Sequence, residues 1–235
     1  RRTRWFLEHR SDLTNSIACL QQPGRKNRRL LALVNPERLR RVLTRVFDED
    51  EFLSQFGIRS LSKVYEKEPY RFEMAGEIYE VEYEPSESRS GMFGGNSNWR
   101  GPICFPTNYL LIEALQKFDF YFGDDFKIEF PTGSGRELTL WQISQQLESR
   151  LITIFRRQNG RRPVFGSYEK MQADEHWRDL NLFFEYFDAE TGEGLGASHQ
   201  TGWTGLIAKL IKQTNEYGDP TLKDAVEPSG GEQVK

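Results

Sequence analysis

The sequence predicts a mostly helical fold with one small β-hairpin. Four segments repeat apolar residues at the three- and four-residue spacing of a helix face, and one segment alternates apolar and charged residues. The connections between these segments are long and rich in glycine and aromatic residues, unlike the short polar turns of simple helical bundles. Long ordered loops in a compact domain are usually functional. Helices stacked in antiparallel pairs round a ring, with their loops gathered at one end, would match this pattern.

The first two predicted helices have clear boundary residues. Asn35 can cap the first helix, and Pro36 suits its first position because the missing N–H costs nothing there. The second helix begins near Pro106 and ends at Gly123, a residue type that favours the C-terminal cap. The apolar faces are predicted to be Leu39, Val42, Leu43, Val46 and Phe47 in the first helix, and Leu111, Ala114, Leu115, Phe118 and Phe122 in the second.

The last two predicted helices follow the same logic. The third opens with the capping-box pattern Thr139-Leu-Trp-Gln142. The fourth ends at Gly218, with Pro220 behind it. Their apolar faces are predicted to be Ile143, Leu147, Leu151, Ile154 and Phe155 in the third helix, and Trp203, Leu206, Ile207, Leu210 and Ile211 in the fourth.

Two segments differ from the helices in composition. Between residues 70 and 84, apolar residues alternate with charged ones around Ala75-Gly76, which predicts a β-hairpin. The apolar residues are Phe72, Met74, Tyr79, Val81 and Tyr83. From about Asp219 the chain loses apolar residues and gains proline, glycine and charge, so residues 219–235 are predicted to be a disordered tail or linker. Residues 1–218 then form one unit.

Charge and hydropathy restrict the possible partners. The 235 residues carry a formal net charge of -3, so the overall charge indicates no particular partner. Residues 1–45 hold 12 Lys/Arg against 3 Asp/Glu, but these basic residues are interleaved with helix-spaced apolar residues. We therefore expect a solvated helix face, partly paired with the acidic stretch that follows, and no nucleic-acid partner. No apolar run reaches the ~18 residues of a membrane helix, so no membrane segment is expected in this chain.

Metal and targeting signals are weak. Cys19 and Cys104 have neither metal-ligand spacing nor the pattern of a disulfide framework, and the three histidines form no His-Glu-x-x-His set. We predict no metal ion and no cofactor. The N-terminal residues 1–5 show no initiator methionine and no signal-peptide pattern, which predicts that the chain begins inside a longer protein. The predicted location is cytoplasmic.

Two glycine-rich segments carry the clearest functional signal. One runs from Gly91 to Pro102 and has the pair Trp99-Arg100 near its end. The other starts at residues 184–188 and ends at Gly202-Trp203. Glycine allows backbone to approach a ligand closely, and an aromatic face beside polar groups suits a polar ligand with a flat apolar side. A sugar fits that description.

Acidic residues in the second segment provide candidate catalytic groups. Hydrolysis of a glycosidic bond uses two carboxyl groups, one protonating the leaving oxygen and the other activating water or attacking directly. Glu185 lies among aromatic residues, where poor solvation would raise the pKa of its carboxyl, although a glutamate in this setting is also common at an exposed helix end. Asp188 is followed by Ala-Glu-Thr-Gly and Glu193 lies between two glycines, and both settings are typical of turns. Glu190 is the remaining carboxylate of the segment.

Residue type alone leaves the other candidates open. Trp99 and Trp203 could stack on a sugar ring or fill the core. Arg100 could donate its planar guanidinium to hydroxyl or carboxylate groups, or form a structural ion pair. Neither a GxxxxGK[ST] phosphate loop nor a Gly-x-Ser-x-Gly elbow occurs, so nothing points to those chemistries.

Together these segments resemble glycoside hydrolase family 63. The matching stretches are Gly91–Ile103, Phe184–Asp188, Thr191-Gly-Glu-Gly-Leu-Gly and Gly202-Trp203-Thr204-Gly205. The resemblance covers roughly residues 36–212 and is strongest to the family's large microbial and fungal α-glucosidase-like branch. That branch is related to processing α-glucosidases, mannosylglycerate hydrolases and, more distantly, trehalases. The resemblance implies a ring of six α-helical hairpins, an α/α toroid, with an inverting mechanism that uses an aspartate as general acid and a glutamate as general base.

The resemblance also implies roles for individual residues. It places the general base at Glu185, with Glu193 as the second choice because the Gly-Glu-Gly segment lies close to the sugar site in relatives. The residues expected to bind an oligosaccharide or small α-glycoside are Asn98, Trp99, Arg100, Glu193 and Trp203. Cys104 departs from the bulky aromatic residue that the resemblance leads us to expect after Gly-Pro-Ile.

The general acid is expected outside this chain. No stretch of residues 1–90 resembles the family's acidic motif, so residues 1–218 are predicted to be the C-terminal portion of the catalytic domain. The remainder of the same polypeptide, upstream, would supply the acid, and the chain alone would be inactive or nearly so. One alternative is a non-catalytic helical domain that binds carbohydrate or acts as a scaffold. Another is a nucleic-acid binder that uses the basic N-terminal stretch.

Overall fold

The computed structural model describes residues 1–14, 23–30, 32–199 and 202–217. Its helices are α1 (Arg2–His9), α2 (Ser11–Thr14), α3 (Pro36–Val46), α4 (Phe105–Phe122), α5 (Leu140–Thr153), α6 (Glu169–Ala173) and α7 (Leu206–Tyr217). Its strands pair as antiparallel hairpins: β1 (Leu53–Ser54) with β2 (Gly57–Ile58), β3 (Tyr70–Met74) with β4 (Glu77–Val81), β5 (Lys127–Glu129) with β6 (Glu137–Thr139), and β7 (Tyr186–Phe187) with β8 (Gly194–Leu195). The predicted tail, residues 219–235, and Cys19 lie outside the described residues.

Helix α3 begins at the residue that the sequence predicts. The side chain of Asn35 accepts a hydrogen bond from the Arg38 N–H at 2.8 Å, which satisfies one of the free donors of the first turn. The buried side of α3 is narrower than predicted, because Leu39 and Leu43 are buried whereas Val42 is 48% exposed. This side faces β5, against which α3 packs.

The core lies between α4, α5 and α7. Helix α4 packs against α5, and α7 packs against both. The predicted capping box is confirmed, since Thr139 Oγ1 accepts from the Gln142 N–H at 3.2 Å and Gln142 Oε1 accepts from the Thr139 N–H at 3.1 Å. Every residue of the predicted α5 face is buried: Ile143, Leu147, Leu151, Ile154 and Phe155.

Helices α4 and α7 differ from prediction in their details. Helix α4 ends at Gly123 as predicted, with a positive φ of 77°. Its fully buried side chains include Ile112, outside the predicted face, because α4 packs against both α5 and α7. Phe118, on the predicted face, is only partly buried. Trp203 precedes α7 in a short 3₁₀ turn, and the predicted end at Gly218 lies outside the described residues.

The β-hairpin predicted between residues 70 and 84 is confirmed as β3–β4. Ala75 and Gly76 have positive φ angles of 55° and 84°, as a tight two-residue turn requires. Phe72 pairs with Tyr79, so their side chains share one face of the ribbon, and both remain exposed. The alternating pattern therefore produces a ribbon that projects from the core, with an apolar side that the described residues leave uncovered.

The basic N-terminal stretch makes contacts within the chain. Arg45 forms an ion pair with Glu51 at 2.5 Å, as expected for pairing with the acidic stretch. The guanidinium carbon of Arg28 lies 3.2 Å from the centre of the Phe120 ring, and Arg40 stacks over Phe126. Within the part of the chain that the structure describes, no helix is long and apolar enough to span a bilayer.

Candidate functional site

The two glycine-rich segments of the sequence lie side by side. We call residues 84–103 the upstream loop and residues 184–199 the downstream loop. Ile103 and Phe187 exchange both backbone hydrogen bonds, at 2.8 and 3.0 Å, so the loops are joined by a short antiparallel bridge. The Ala189 N–H adds a bond to the Pro85 carbonyl at 3.0 Å. The two segments that carry the functional signal in the sequence are therefore neighbours in the structure.

Arg100 holds the upstream loop together from inside. Its side chain is 2% exposed, and Nη1 lies 2.6 Å from Oε2 of Glu84, which is equally buried. The guanidinium also donates to the hydroxyls of Ser88 and Ser90. Of the two roles left open by the sequence, these contacts favour the structural ion pair over direct contact between Arg100 and a ligand. A buried pair of this kind is costly to break because either partner would remain as a buried charge without its nearest counter-ion.

The residues before Arg100 differ sharply in exposure. Trp99 is 59% exposed, which favours a platform for a ligand over a core filler. Asn98 is buried beside it, and its Oδ1 accepts no hydrogen bond from the described residues. Buried polar atoms normally have a hydrogen-bond partner, so the bare Oδ1 is consistent with a ligand hydroxyl as its partner. That role of Asn98 stays a prediction.

Glu185 lies at the edge of the downstream loop, where β7 and β8 begin to separate. Its Oε1 accepts a hydrogen bond from the Ala197 N–H at 3.3 Å, and its backbone carbonyl accepts from Trp203 Nε1 at 2.8 Å. Gly196 has a φ of 71°, and a Cβ placed there would lie 3.0 Å from Glu185 Oε2. Only glycine combines that backbone conformation with such a close approach. The indole of Trp203 is 46% exposed, so its face remains accessible beside Glu185.

Glu87 is a second carboxylate at this position, and the sequence analysis did not identify it. Its Oε1 accepts from the Gly196 N–H at 2.9 Å, and its Oε2 accepts from the Tyr186 hydroxyl at 3.0 Å. Glu87 and Glu185 are thus bound to consecutive backbone amides. Because consecutive backbone nitrogens lie within about 3.7 Å, the two Oε1 atoms are within about 10 Å of each other. No local pattern marks Glu87, which lies in a Pro-Ser-Glu-Ser stretch about a hundred residues from its partners.

Tyr186 connects the two carboxylates electrostatically. Its ring is buried, and burial raises the pKa of Tyr186 to about 12, with Glu87 and Glu185 adding to the rise. The phenol therefore stays protonated at neutral pH and remains a donor to Glu87. The site thus contains two carboxylates joined through one tyrosine and one backbone segment.

The other acidic candidates are held by structural contacts. Asp188 Oδ1 accepts from the N–H groups of Glu190 and Thr191, both at 2.8 Å, so it caps the turn as its sequence neighbours predict. Glu190 lies 3.1 Å from Arg59 and 3.3 Å from Lys63. Burial alone would raise the pKa of Glu190, but the Tyr83 hydrogen bond and these two cations outweigh it and hold that pKa below its usual value.

Glu193 faces a different neighbour. Its carboxyl packs so closely against Gly166 that a Cβ on that glycine would lie 2.1 Å from Glu193 Cδ. Burial, with a contribution from the charge of Asp188, raises the pKa of Glu193. Its raised pKa is compatible with acid–base chemistry, but its known contact is with the turn after Phe165 and not with Glu87 or Glu185.

The described residues show no metal centre. Across residues 1–14, 23–30, 32–199 and 202–217, no group of three or more His, Cys, Asp or Glu side chains is arranged to hold an ion. Cys104 is buried at the start of α4, and burial raises the pKa of its thiol. The absence of a cofactor stays a prediction.

Comparison with known proteins finds relatives that are far longer than this chain. No family model matches it. It is 51% identical over 215 residues to the uncharacterized protein YMR196W of Saccharomyces cerevisiae, an alignment that covers 90% of the chain and 20% of that protein. It is 25% identical over 177 residues to a probable mannosyl-oligosaccharide glucosidase of Schizosaccharomyces pombe, covering 75% of the chain and 15% of the relative.

A third relative has the same kind of name. The mannosyl-oligosaccharide glucosidase of Saccharomyces cerevisiae is 21% identical over 179 residues, again covering 75% of the chain and 15% of the relative. The chain therefore spans a fifth or less of the length of the curated relatives it matches. The sequence-based expectation is confirmed in its coarser form, since the chain is a distant homologue of mannosyl-oligosaccharide glucosidases over three quarters of its length.

Proposed function

We propose that this chain is part of a glycoside hydrolase of family 63 that cleaves α-glycosidic bonds with inversion, and that Glu185 is its general base. The observation that carries the proposal is the position of Glu185 in a surface loop, held at Oε1 by the Ala197 amide and flanked by the exposed indole of Trp203. The distant similarity to two mannosyl-oligosaccharide glucosidases supports the reaction class.

In this mechanism Glu185 activates water. Ala197 fixes Oε1, and Oε2 takes the proton from a water molecule as the oxygen of that water attacks the anomeric carbon. The leaving oxygen departs from the opposite face and receives a proton from the general acid. Inversion requires the two carboxyl groups to lie about 6.5–9.5 Å apart, with room for the water between them.

The exposed indoles supply the apolar part of the binding site. Trp203 is fixed by the hydrogen bond from its N–H to the Glu185 carbonyl, so its ring presents a face next to the base. Trp99 is held between buried Asn98 and buried Arg100, and its side chain projects from the upstream loop. Two such faces suit the C–H side of an oligosaccharide or a small α-glycoside.

The wider architecture belongs to the same proposal. Helices α4, α5 and α7 would be part of a six-hairpin α/α toroid, and residues 1–218 would be the C-terminal portion of its catalytic domain. The general acid would come from the remainder of the polypeptide upstream. Glu193 is the second choice for the base. The proposal includes no cofactor and no nucleic-acid partner, and a cytoplasmic location stays a prediction.

The decisive experiment compares wild type with Glu185→Gln in the natural polypeptide that contains this sequence. Both are assayed on α-linked glucosides and mannosides, and proton NMR records which anomer appears first. We expect the β-anomer from wild type and a rate lower by about 10²–10⁴-fold in Glu185→Gln. Glu80→Gln is the control, because Glu80 is an exposed hairpin residue paired with Arg71. First appearance of the α-anomer would rule out inversion. A Glu185→Gln variant as active as wild type would show that Glu185 is not the general base.

A non-catalytic carbohydrate-binding or scaffolding domain is the second candidate. The exposure of Trp99 and Trp203 favours it, because stacking on a sugar needs no carboxylate. This alternative predicts that Glu185→Gln binds oligosaccharide as tightly as wild type while neither protein releases sugar. Calorimetric titration of both proteins, alongside the NMR assay, separates the two functions. Hydrolysis by residues 1–235 alone would contradict the proposal that the acid lies upstream.

A further inference from the structure

We propose that Glu87 is a positioning residue for the Glu185 carboxylate and acts through the backbone at Gly196 and Ala197. The effect on turnover rests on the proposed function. We call the hold of Glu87 on the backbone at Gly196 and Ala197 the clamp. The clamp rests on three contacts: Glu87 with the Gly196 amide, Glu87 with the Tyr186 hydroxyl, and Glu185 with the Ala197 amide.

The first step is the reach of Glu87 across the site. It belongs to the upstream loop, and both of its partners belong to the downstream loop. Its Oε2 is bound to Tyr186, the residue after Glu185, while its Oε1 is bound to Gly196, the residue before Ala197. Glu87 therefore fixes the neighbours of both groups that form the Glu185–Ala197 hydrogen bond.

The second step is the need for such a restraint at Gly196. Glycine has the largest conformational freedom of any residue, and here it must keep a φ of 71°. A Cβ on Gly196 would lie 3.0 Å from Glu185 Oε2, so the conformation of this glycine determines the space available to the carboxylate. A hydrogen bond from outside the segment limits that freedom, and the 2.9 Å bond to Glu87 does so at the glycine itself.

The third step distinguishes positioning from proton transfer. Each oxygen of Glu87 already accepts a hydrogen bond, one from an amide and one from a phenol that stays protonated at neutral pH. Both oxygens are therefore occupied by contacts within the chain, where Glu87 accepts from Gly196 and from Tyr186. The geometry therefore assigns Glu87 to holding the loop, and leaves the acid to another residue.

Charge and geometry can be separated by substitution. In Glu87→Gln the amide oxygen can still accept from Gly196, and the amide nitrogen can donate to the Tyr186 oxygen. Glu87→Ala removes both contacts. Glu87 is exposed, so neither change leaves a cavity in the core. Glu80→Ala is the matched control, because it removes an exposed glutamate with a single ion-pair partner, Arg71, outside both loops.

The experiment measures kcat, KM and backbone hydrogen exchange in the natural polypeptide. Turnover is followed on the α-glycoside that wild type cleaves fastest. For Glu87→Ala we expect kcat to fall about 10–100-fold with KM within about threefold, because a misplaced base affects the chemical step more than binding. We expect the amides of Gly196 and Ala197 to exchange about 5–30-fold faster, as loss of one hydrogen bond predicts. Glu87→Gln should recover most of both properties.

The outcomes separate the two proposals. Unchanged exchange at Gly196 and Ala197 in Glu87→Ala overturns the clamp, whatever the activity. Faster exchange with kcat equal to that of Glu80→Ala overturns the positioning of Glu185. If wild type cleaves no substrate, the proposed function fails, and faster exchange in Glu87→Ala but not in Glu80→Ala still supports the clamp.

Discussion

The indole N–H of Trp203 donates a 2.8 Å hydrogen bond to the backbone carbonyl of Glu185. This bond ties the residue that precedes α7 to the proposed base, and it leaves the ring face accessible. Trp203→Phe should keep an aromatic face and lose the bond, lowering kcat/KM about 5–10-fold, the loss expected for one hydrogen bond. Trp203→Ala should lose more, because it also removes the face. Steady-state kinetics measure kcat/KM for both variants, and Trp177→Phe, outside both loops, is the control. Equal kcat/KM in Trp203→Ala and wild type would show that the Trp203 indole does not contribute to the site.

Gly196→Ala should damage the site more than the fold. The added methyl group meets a backbone with φ 71° and a Glu185 oxygen at 3.0 Å. Gly135→Ala is a matched control, because its φ is 72° and nothing lies within 4 Å of the added Cβ. Both variants should lose about 1–2 kcal/mol of unfolding free energy from the left-handed backbone, measured in urea. Only Gly196→Ala should also lose turnover, and equal activity in the two variants would contradict the close approach.

Breaking the buried pair of Arg100 and Glu84 should destabilise the chain strongly. Both side chains are at most 2% exposed, and the charged atoms lie 2.6 Å apart. Arg100→Ala should reduce the free energy of unfolding by about 3 kcal/mol, because buried Glu84 loses its 2.6 Å partner and keeps the weaker contact with exposed Arg89 at 3.7 Å. Arg71→Ala, which breaks an exposed pair with Glu80 at 2.7 Å, should cost at most about 1 kcal/mol. Urea unfolding compares the two variants. Similar losses of unfolding free energy would mean that the buried pair of Arg100 does not stabilise the upstream loop.

Stability should fall as pH rises from about 4.5 to 7 because of Glu148. This residue is buried, accepts from Gln116 Nε2 and Thr214 Oγ1, and burial raises its pKa from 4.5 to about 7. The folded chain thus holds a proton that the unfolded chain releases above pH 4.5. The stability that this proton provides is complete below pH 4.5 and is lost by about pH 7, a change of about 3 kcal/mol.

Glu148→Gln removes this dependence. Urea titrations between pH 4 and 8 measure the free energy of unfolding of Glu148→Gln and of wild type. The value for Glu148→Gln minus the value for wild type should increase as pH rises and should level off above about pH 7. Both hydrogen-bond partners, on α4 and α7, remain in the variant. A difference that does not change with pH would show that Glu148 titrates normally.

The local elements could be predicted because their signals are local. Asn35 caps α3 and Thr139 caps α5 through residues only three positions away, so the sequence contains both partners of each bond. The faces of α4 and the exposure of the hairpin could not be predicted in the same way. They depend on which neighbours cover each element, and helical or strand spacing carries no information about that.

The candidate site shows the same division. Glu185 and Trp203 were identified by their motifs, and they lie in contact. Glu87 has no motif, and its significance comes from Tyr186 and Gly196, which are about a hundred residues away along the chain. The burial of Arg100 could not be predicted from the sequence either, because an arginine can form an ion pair or contact a ligand.

The bridge between Ile103 and Phe187 also sets the order in which the site can form. It closes a loop of more than eighty residues that contains the whole of α4 and α5, so its entropic cost is recovered only after those helices have packed. During synthesis, the upstream loop leaves the ribosome long before its partner exists. A nascent chain that stops before residue 184 can therefore pack α4 against α5 but still lacks α7, and its Glu87 and Trp99 have no downstream loop to form a site with.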